Sequence, residues 1–143
     1  MILYLDTSSP LKLYLEESGT DEVRSLVERS DVVATAVIAY PEAQAALGRR
    51  HREGALTKTE FRAVLQEFNE TWSRFLAVNL VASVCTLAGT FAIAHGLRGT
   101  DGIHLASWAE LLRGDDAVEF LSHDLRLMRA AAKELKKRKP HAT

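Results

Sequence analysis

Apolar residues fall into four short continuous runs, separated by longer stretches in which they recur every three or four positions. The runs are 2–5 (ILYL), 31–35 (DVVAT), 76–81 (LAVNLV) and 117–122 (AVEFLS). Runs without polar alternation suit strands covered by helices on both faces. The stretches between them carry the helical period. Residues 8–17 and 21–29 read as helices separated by a Ser18-Gly19-Thr20 turn, the second with Val23, Leu26 and Val27 inward. Residues 36–53 read as a helix that either kinks at Pro41 or begins its regular part there. Thr57 and Glu60 have capping-box spacing, and Phe61, Val64, Leu65, Phe68, Trp72 and Phe75 then form a stripe suited to core or partner packing. Further helices are predicted at 83–95, at 101–112 with Thr100 as N-cap, and at 125–137 with Met128, Ala131, Ala132 and Leu135 inward. Strands alternating with helices predict an α/β fold with a parallel sheet covered on both faces.

Residues 75–97 contain no Asp, Glu, Lys or Arg, a length that on its own would suit a membrane span of ~20 residues. Asn79, Ser83, Thr86, Thr90 and His95 dilute the segment, and it divides into a strand and a helix with Val84, Leu87, Ala88 and Phe91 on one face. A buried strand and its packing helix are therefore expected, with no membrane involvement. The 143 residues show no linker or repeat and fit one domain, 1–143, with a basic tail at 133–143 expected to fray. A net charge of −1 gives no general attraction to polyanions, which would need local basic patches or a metal. One cysteine, Cys85, excludes an internal disulfide and a multi-cysteine zinc site, and reads as a small buried filler. The N-terminus lacks a basic stretch followed by a long apolar core, so a cytoplasmic protein is expected.

The candidate chemistry lies where the apolar runs end. Asp6 follows the first run directly, and Asp124 follows the fourth. Glu42 stands just after the irregular point at Pro41, and Asp101 opens the helix after the charge-free segment. Open α/β sheets place their ligand crevices outside the strand C-termini, so all four acids are expected on one sheet edge. Carboxylates gathered there repel and raise one another's pKa values unless a cation is present, and oxygen-only donors suit Mg2+ or Mn2+. Taken singly, Asp6 and Asp124 read equally well as N-caps and Asp101 as a first-turn partner of the helix dipole. His104 and His123 read as packed or hydrogen-bonded histidines. An aspartyl-nucleophile phosphatase would need a second Asp two residues after the first, where Ser8 stands. No G-x-G-x-x-G, G-K-[ST] or H-E-x-x-H pattern is present.

Four segments, LYLDTSSPLKLY, TAVIAYPEAQAAL, GLRGTDGIHLASWAELL and FLSHDLRLMRAAA, span nearly the whole chain in order. With them the chain resembles the PIN-domain ribonucleases, in particular the VapC-type toxins of type II toxin–antitoxin pairs. The resemblance implies a three-layer α/β/α fold around a parallel sheet of four to five strands. Many family members close with a further short strand, for which KELKKRKPHAT offers no apolar run after Leu135. The resemblance also implies an Mg2+ (or Mn2+) site and catalytic acids at Asp6, Glu42, Asp101 and Asp124. Asp6 and Asp101 are expected as principal ligands, Glu42 and Asp124 as further or water-mediated ones, and Thr7 or Ser8 as the supporting hydroxyl. Cleavage of RNA by metal-activated water follows, with Arg98 and Arg126 as RNA contacts among several flanking arginines, Arg49 and Arg50 included. The expected partners are a second copy of the chain and a small VapB-like antitoxin whose tail fills the acidic groove. A stand-alone RNA-processing nuclease and a catalytically inactive binding module are the alternatives on the same fold.

Overall fold

The four apolar runs become β1 (Ile2–Leu5), β2 (Val32–Ala36), β3 (Leu76–Val78) and β4 (Val118–Leu121). In the computed structural model, which describes residues 1–115 and 117–138, they form one parallel sheet in the order β3-β2-β1-β4. The helices among the described residues are α1 (Ser8–Leu11), α2 (Thr20–Arg29), α3 (Ala39–Arg52), α4 (Lys58–Trp72), α5 (Ala82–His95), α6 (Gly99–Leu111) and α7 (Leu125–Arg138). β1 is central, and its side chains alternate between two packed faces as the pleat demands. Tyr4 joins Ala34, Phe120 and residues of α5, α6 and α7 in one cluster. Leu3 and Leu5 join Val23 of α2 and Leu121 in another. Helices thus cover both faces of the sheet around β1, as expected, whereas the edge strand β3 is shorter than its apolar run and is not the buried strand expected, with Leu76, Leu80 and Val81 exposed. No described helix is long and apolar enough to cross a membrane.

Several boundaries differ from the sequence expectation for identifiable reasons. The first helix stops at Leu11, where Lys12, Leu13 and Tyr14 donate to carbonyls three residues back, the tighter pattern that ends a helix. Pro41 falls in the first turn of α3, where its missing N–H leaves no intrahelical bond unmade. α6 begins at Gly99 with Arg98 in the N-cap position, so Thr100 lies inside the helix and does not cap it. Cys85 is exposed, because α5 turns Val84, Ala88 and Phe91 inward and the next position points away.

α7 buries Leu127, Ala130 and Ala131, with Met128 partly covered, while Ala132 and Leu135 face outward. The next positions along its inner face are polar. Glu134 accepts from His95 Nε2 at 2.7 Å, and Arg138 donates to the Leu112 carbonyl at 2.6 Å, at the C-terminus of α6. A reading of hydrophobic spacing misses this, because ion pairing and carbonyl capping replace apolar burial there. Residues 133–138 of the basic tail are therefore helical and anchored, and the remainder, 139–143, lies outside the described residues.

Two packing features position the polar edge of the sheet. The expected capping box starts α4, with the Thr57 hydroxyl and the Glu60 carboxylate each satisfying the other's backbone N–H. The stripe that follows is core. Phe68 is fully buried and touches Tyr14 and Tyr40, and Tyr40 lies 5.2 Å from the Trp72 ring. That cluster fixes the first turn of α3 two residues before Glu42. The second feature is Gly102, where a Cβ would sit 2.6 Å from the Ala88 carbonyl oxygen. The backbones of α5 and α6 touch there, one residue after Asp101. Gly102→Ala should destabilise the fold by about 1–3 kcal/mol through overpacking, read by urea unfolding. Gly89→Ala on α5, with nothing near its Cβ position, should show no such loss.

Candidate active site

The chain steps from β1 to β2 and β3 on one side of the sheet and returns to place β4 on the other. Consecutive connections thus diverge between β1 and β4, and a crevice opens beyond the carboxyl ends of those two strands. Asp6 sits at that point and its N–H donates to the Leu121 carbonyl. The residue is only 7% exposed, and its carboxylate is surrounded by hydroxyls. Oδ1 accepts from Ser8 Oγ at 3.1 Å and Ser9 Oγ at 3.0 Å, and Oδ2 from Ser122 Oγ at 2.6 Å. A buried carboxylate requires such donors. The Ser122–Asp6 bond ties the two strand ends together, and the Ser122 hydroxyl also accepts from the Asp124 N–H.

The other acids reach the same pocket by separate routes. Asp6, Glu42, Asp101 and Asp124 all line a cavity of about 640 Å3, together with Thr7 and Ser8. Glu42, in the first turn of α3, accepts from Thr7 Oγ1 at 2.5 Å and lies 3.0 Å from His104 Nε2. His104 Nδ1 is in turn 2.9 Å from the Tyr4 hydroxyl. Burial would raise the Glu42 pKa, but the hydrogen bonds from His104 and Thr7, with the favourable electrostatics of His104 and Arg98, prevail and hold it below the ordinary carboxylate value. Burial pushes the Tyr4 phenol well above its ordinary value. Asp101, in the first turn of α6, accepts from Arg98 Nε at 3.1 Å. Asp124 is exposed and caps α7, accepting from the N–H groups of Arg126 and Leu127. Among the described residues no three acidic, histidine or cysteine side chains form a ready-made cation cage. Each of the four carboxylates already has protein donors.

All four acids foreseen in the sequence therefore share one pocket, and Asp124 is also the N-cap that was its other reading. The basic residues divide. Arg98 lines the pocket, whereas Arg126 lies outside its lining and donates to the Gly96 carbonyl. Lys12 and Arg50 line the pocket but are paired with Glu17. Arg49 lines it, is exposed, and its side chain has no hydrogen bond or ion pair among the described residues. His104 is packed and hydrogen-bonded, as read from the sequence, yet it also borders the pocket. The sequence reading missed Ser9 and Ser122 as Asp6 partners. The one available signal was a serine closing the fourth apolar run just before His123-Asp124.

No family model matches the chain. It is 35% identical over 126 residues to Ribonuclease VapC45 of Mycobacterium tuberculosis strain CDC 1551 / Oshkosh, covering 88% of this chain and 86% of that protein. The same figures hold for Ribonuclease VapC49 of strain ATCC 25618 / H37Rv. The chain belongs to the VapC ribonuclease family. Its fold is similar to that in the crystal structure of FitAcB from Neisseria gonorrhoeae, with a TM-score of 0.64 at 17% identity over 92% of this chain and 94% of that one. It is also similar to VapBC2 from Rickettsia felis bound to a DNA fragment from their promoter, with a TM-score of 0.55 at 16% identity over 85% of this chain and 100% of that one.

The depressed Glu42 pKa has a stability consequence with a definite sign. A carboxyl depressed in the folded state stabilises above its unfolded pKa and loses that contribution as pH falls through the folded one. In divalent-free buffer, Glu42→Gln should be less stable than the native chain at neutral pH. The gap should close as the pH drops below the ordinary Glu value of about 4.3. Urea midpoints measured across that range check this, and a pH-independent gap would contradict it.

Proposed function

We propose that this protein is a divalent-metal-dependent endoribonuclease that acts as the toxin of a toxin–antitoxin pair. The observation that carries the reading is the convergence of Asp6, Glu42, Asp101 and Asp124 on one pocket at the sheet's switch point. Family membership supplies the substrate class, since the curated relatives are named ribonucleases. The likeness to VapBC2 supports a VapB-like antitoxin as partner.

The donor chemistry fits Mg2+ or Mn2+. The acids and hydroxyls of the pocket lining supply hard oxygen donors, the imidazoles of His104 and His123 also border it, and the one thiol, Cys85, is absent from it. Asp6 and Asp101 would hold the ion, with Glu42 and Asp124 contributing directly or through water. When bound, the ion supplies Lewis acidity to activate water and to offset charge building on the scissile phosphate. The chain's own residues prepare for it. Ser8, Ser9 and Ser122 satisfy and orient the Asp6 carboxylate although it is buried. Asp101 is held by the exposed Arg98, so that bond can exchange at little cost. Arg49, charged and uncommitted on the pocket wall, is placed to receive a backbone phosphate of the incoming strand. No covalent nucleophile from the protein is required. A second copy of the chain remains part of the proposal as an assembly partner.

Asp6→Asn and Asp101→Asn should each abolish Mg2+- or Mn2+-dependent cleavage of single-stranded RNA while the circular-dichroism spectrum stays unchanged. Expression of the native chain without an antitoxin should arrest growth, and the Asp6→Asn chain should not. Undiminished cleavage by either variant would contradict the site assignment. Cleavage in vitro without growth arrest would favour a stand-alone RNA-processing nuclease.

A further inference from the structure

We propose that Tyr4 and His104 are positioning residues for Glu42, the Tyr4 hydroxyl fixing the His104 tautomer and the His104 Nε2–H orienting the Glu42 carboxylate toward the pocket. The inference rests on the cation-site reading of Glu42 and adds to it the buried Tyr4 and the pocket-bordering His104.

With a neutral His104 ring, proton bookkeeping leaves one arrangement. The Thr7 hydroxyl has a single proton and donates it to Glu42 Oε1 at 2.5 Å. His104 Nε2 lies 2.8 Å from that hydroxyl oxygen and 3.0 Å from the same Oε1. Both are then acceptors, so a bare Nε2 would set lone pair against lone pair. Nε2 must therefore carry the proton and donate to them. In a neutral ring Nδ1 is then an acceptor, and at 2.9 Å the Tyr4 phenol is its donor. The geometry leaves the chain little freedom. His104 is 2% exposed and Tyr4 is fully buried. The Tyr4 ring is stacked on Phe120, with centroids 5.5 Å apart and planes 9° from parallel, and it meets the His104 ring edge-on at 6.1 Å. Tyr4 pairs with Ala34 and Phe120 in the sheet register, so the relay starts from the rigid centre of the fold. It ends on a side chain at the pocket wall. A hydrophobic core position needs no phenol and no imidazole; an aimed carboxylate does. Partners that orient metal-ligating groups typically cost about 10–100-fold in affinity or activity when removed.

The test uses the full chain. Imidazole 15N shifts of the metal-free native protein at neutral pH should show His104 protonated at Nε2 with a bare Nδ1. A proton on Nδ1, alone or with one on Nε2, would overturn the role given to Tyr4. Calorimetric Mn2+ titrations then compare the native chain with Glu42→Gln, Tyr4→Phe, His104→Ala and His104→Gln. Affinity should fall about 10–100-fold in His104→Ala and measurably in Tyr4→Phe. It should largely recover in His104→Gln, whose amide N–H can replace Nε2–H. On RNA, kcat should fall in the same order with KM unchanged. A loss in Glu42→Gln with none in His104→Ala would overturn the positioning role alone. A native chain that binds no Mn2+ would overturn the cation reading and the positioning role together. The tautomer measurement needs no variant, so it stands even where a variant fails to fold.

Discussion

A carboxylate buried at the end of the central strand must be met by hydrogen-bond donors or by a cation, and the site is arranged around how Asp6 meets that demand. Three serine hydroxyls from two strand ends converge on it. Such bonds to a charged acceptor are each worth about 1.5–3 kcal/mol, against a desolvation penalty of several kcal/mol for an ion left unmatched. Ser122, just past β4, then couples that strand to β1 through its bond to Asp6, and the same hydroxyl accepts from the Asp124 N–H. The chemistry of the edge and the closure of the sheet are therefore one structure.

The remaining acids are brought in by packing remote from the pocket. Glu42 is placed by the Tyr40–Phe68–Trp72 cluster, which pins the start of α3 to α4. Asp101 is placed by the close approach of α5 and α6 that Gly102 permits. Asp124 is placed by its own capping of α7, whose far end is held by Arg138 at the C-terminus of α6. These constraints are independent of one another, so each carboxylate is brought to the pocket by its own element. Each also has protein donors of its own, and the Arg98–Asp101 bond is the most exposed of them.

Much of this was legible in the chain. Continuous apolar runs located β1, β2, β3 and β4, and the acids that end those runs or open the following helices proved to share one pocket. Such signals are local, set by strand burial and helix capping within a few residues. What could not be read is non-local. Nothing in the spacing says that Ser122 meets Asp6 across 116 positions, or that His104 joins Tyr4 across 100. The inward face of α7 was misread because Glu134 and Arg138 occupy it through specific partners, and apolar periodicity carries no information on pairing. Cys85 was misread because α5 is apolar on both its buried and its exposed sides.

The central claim is that these carboxylates form a single divalent-cation site. Crystals of the native chain equilibrated with Mn2+ and measured near its absorption edge test this directly. The account predicts an anomalous peak within the pocket, in direct contact with Asp6 and Asp101. Mn2+ bound only elsewhere, or no peak at a concentration that supports RNA cleavage, would contradict it.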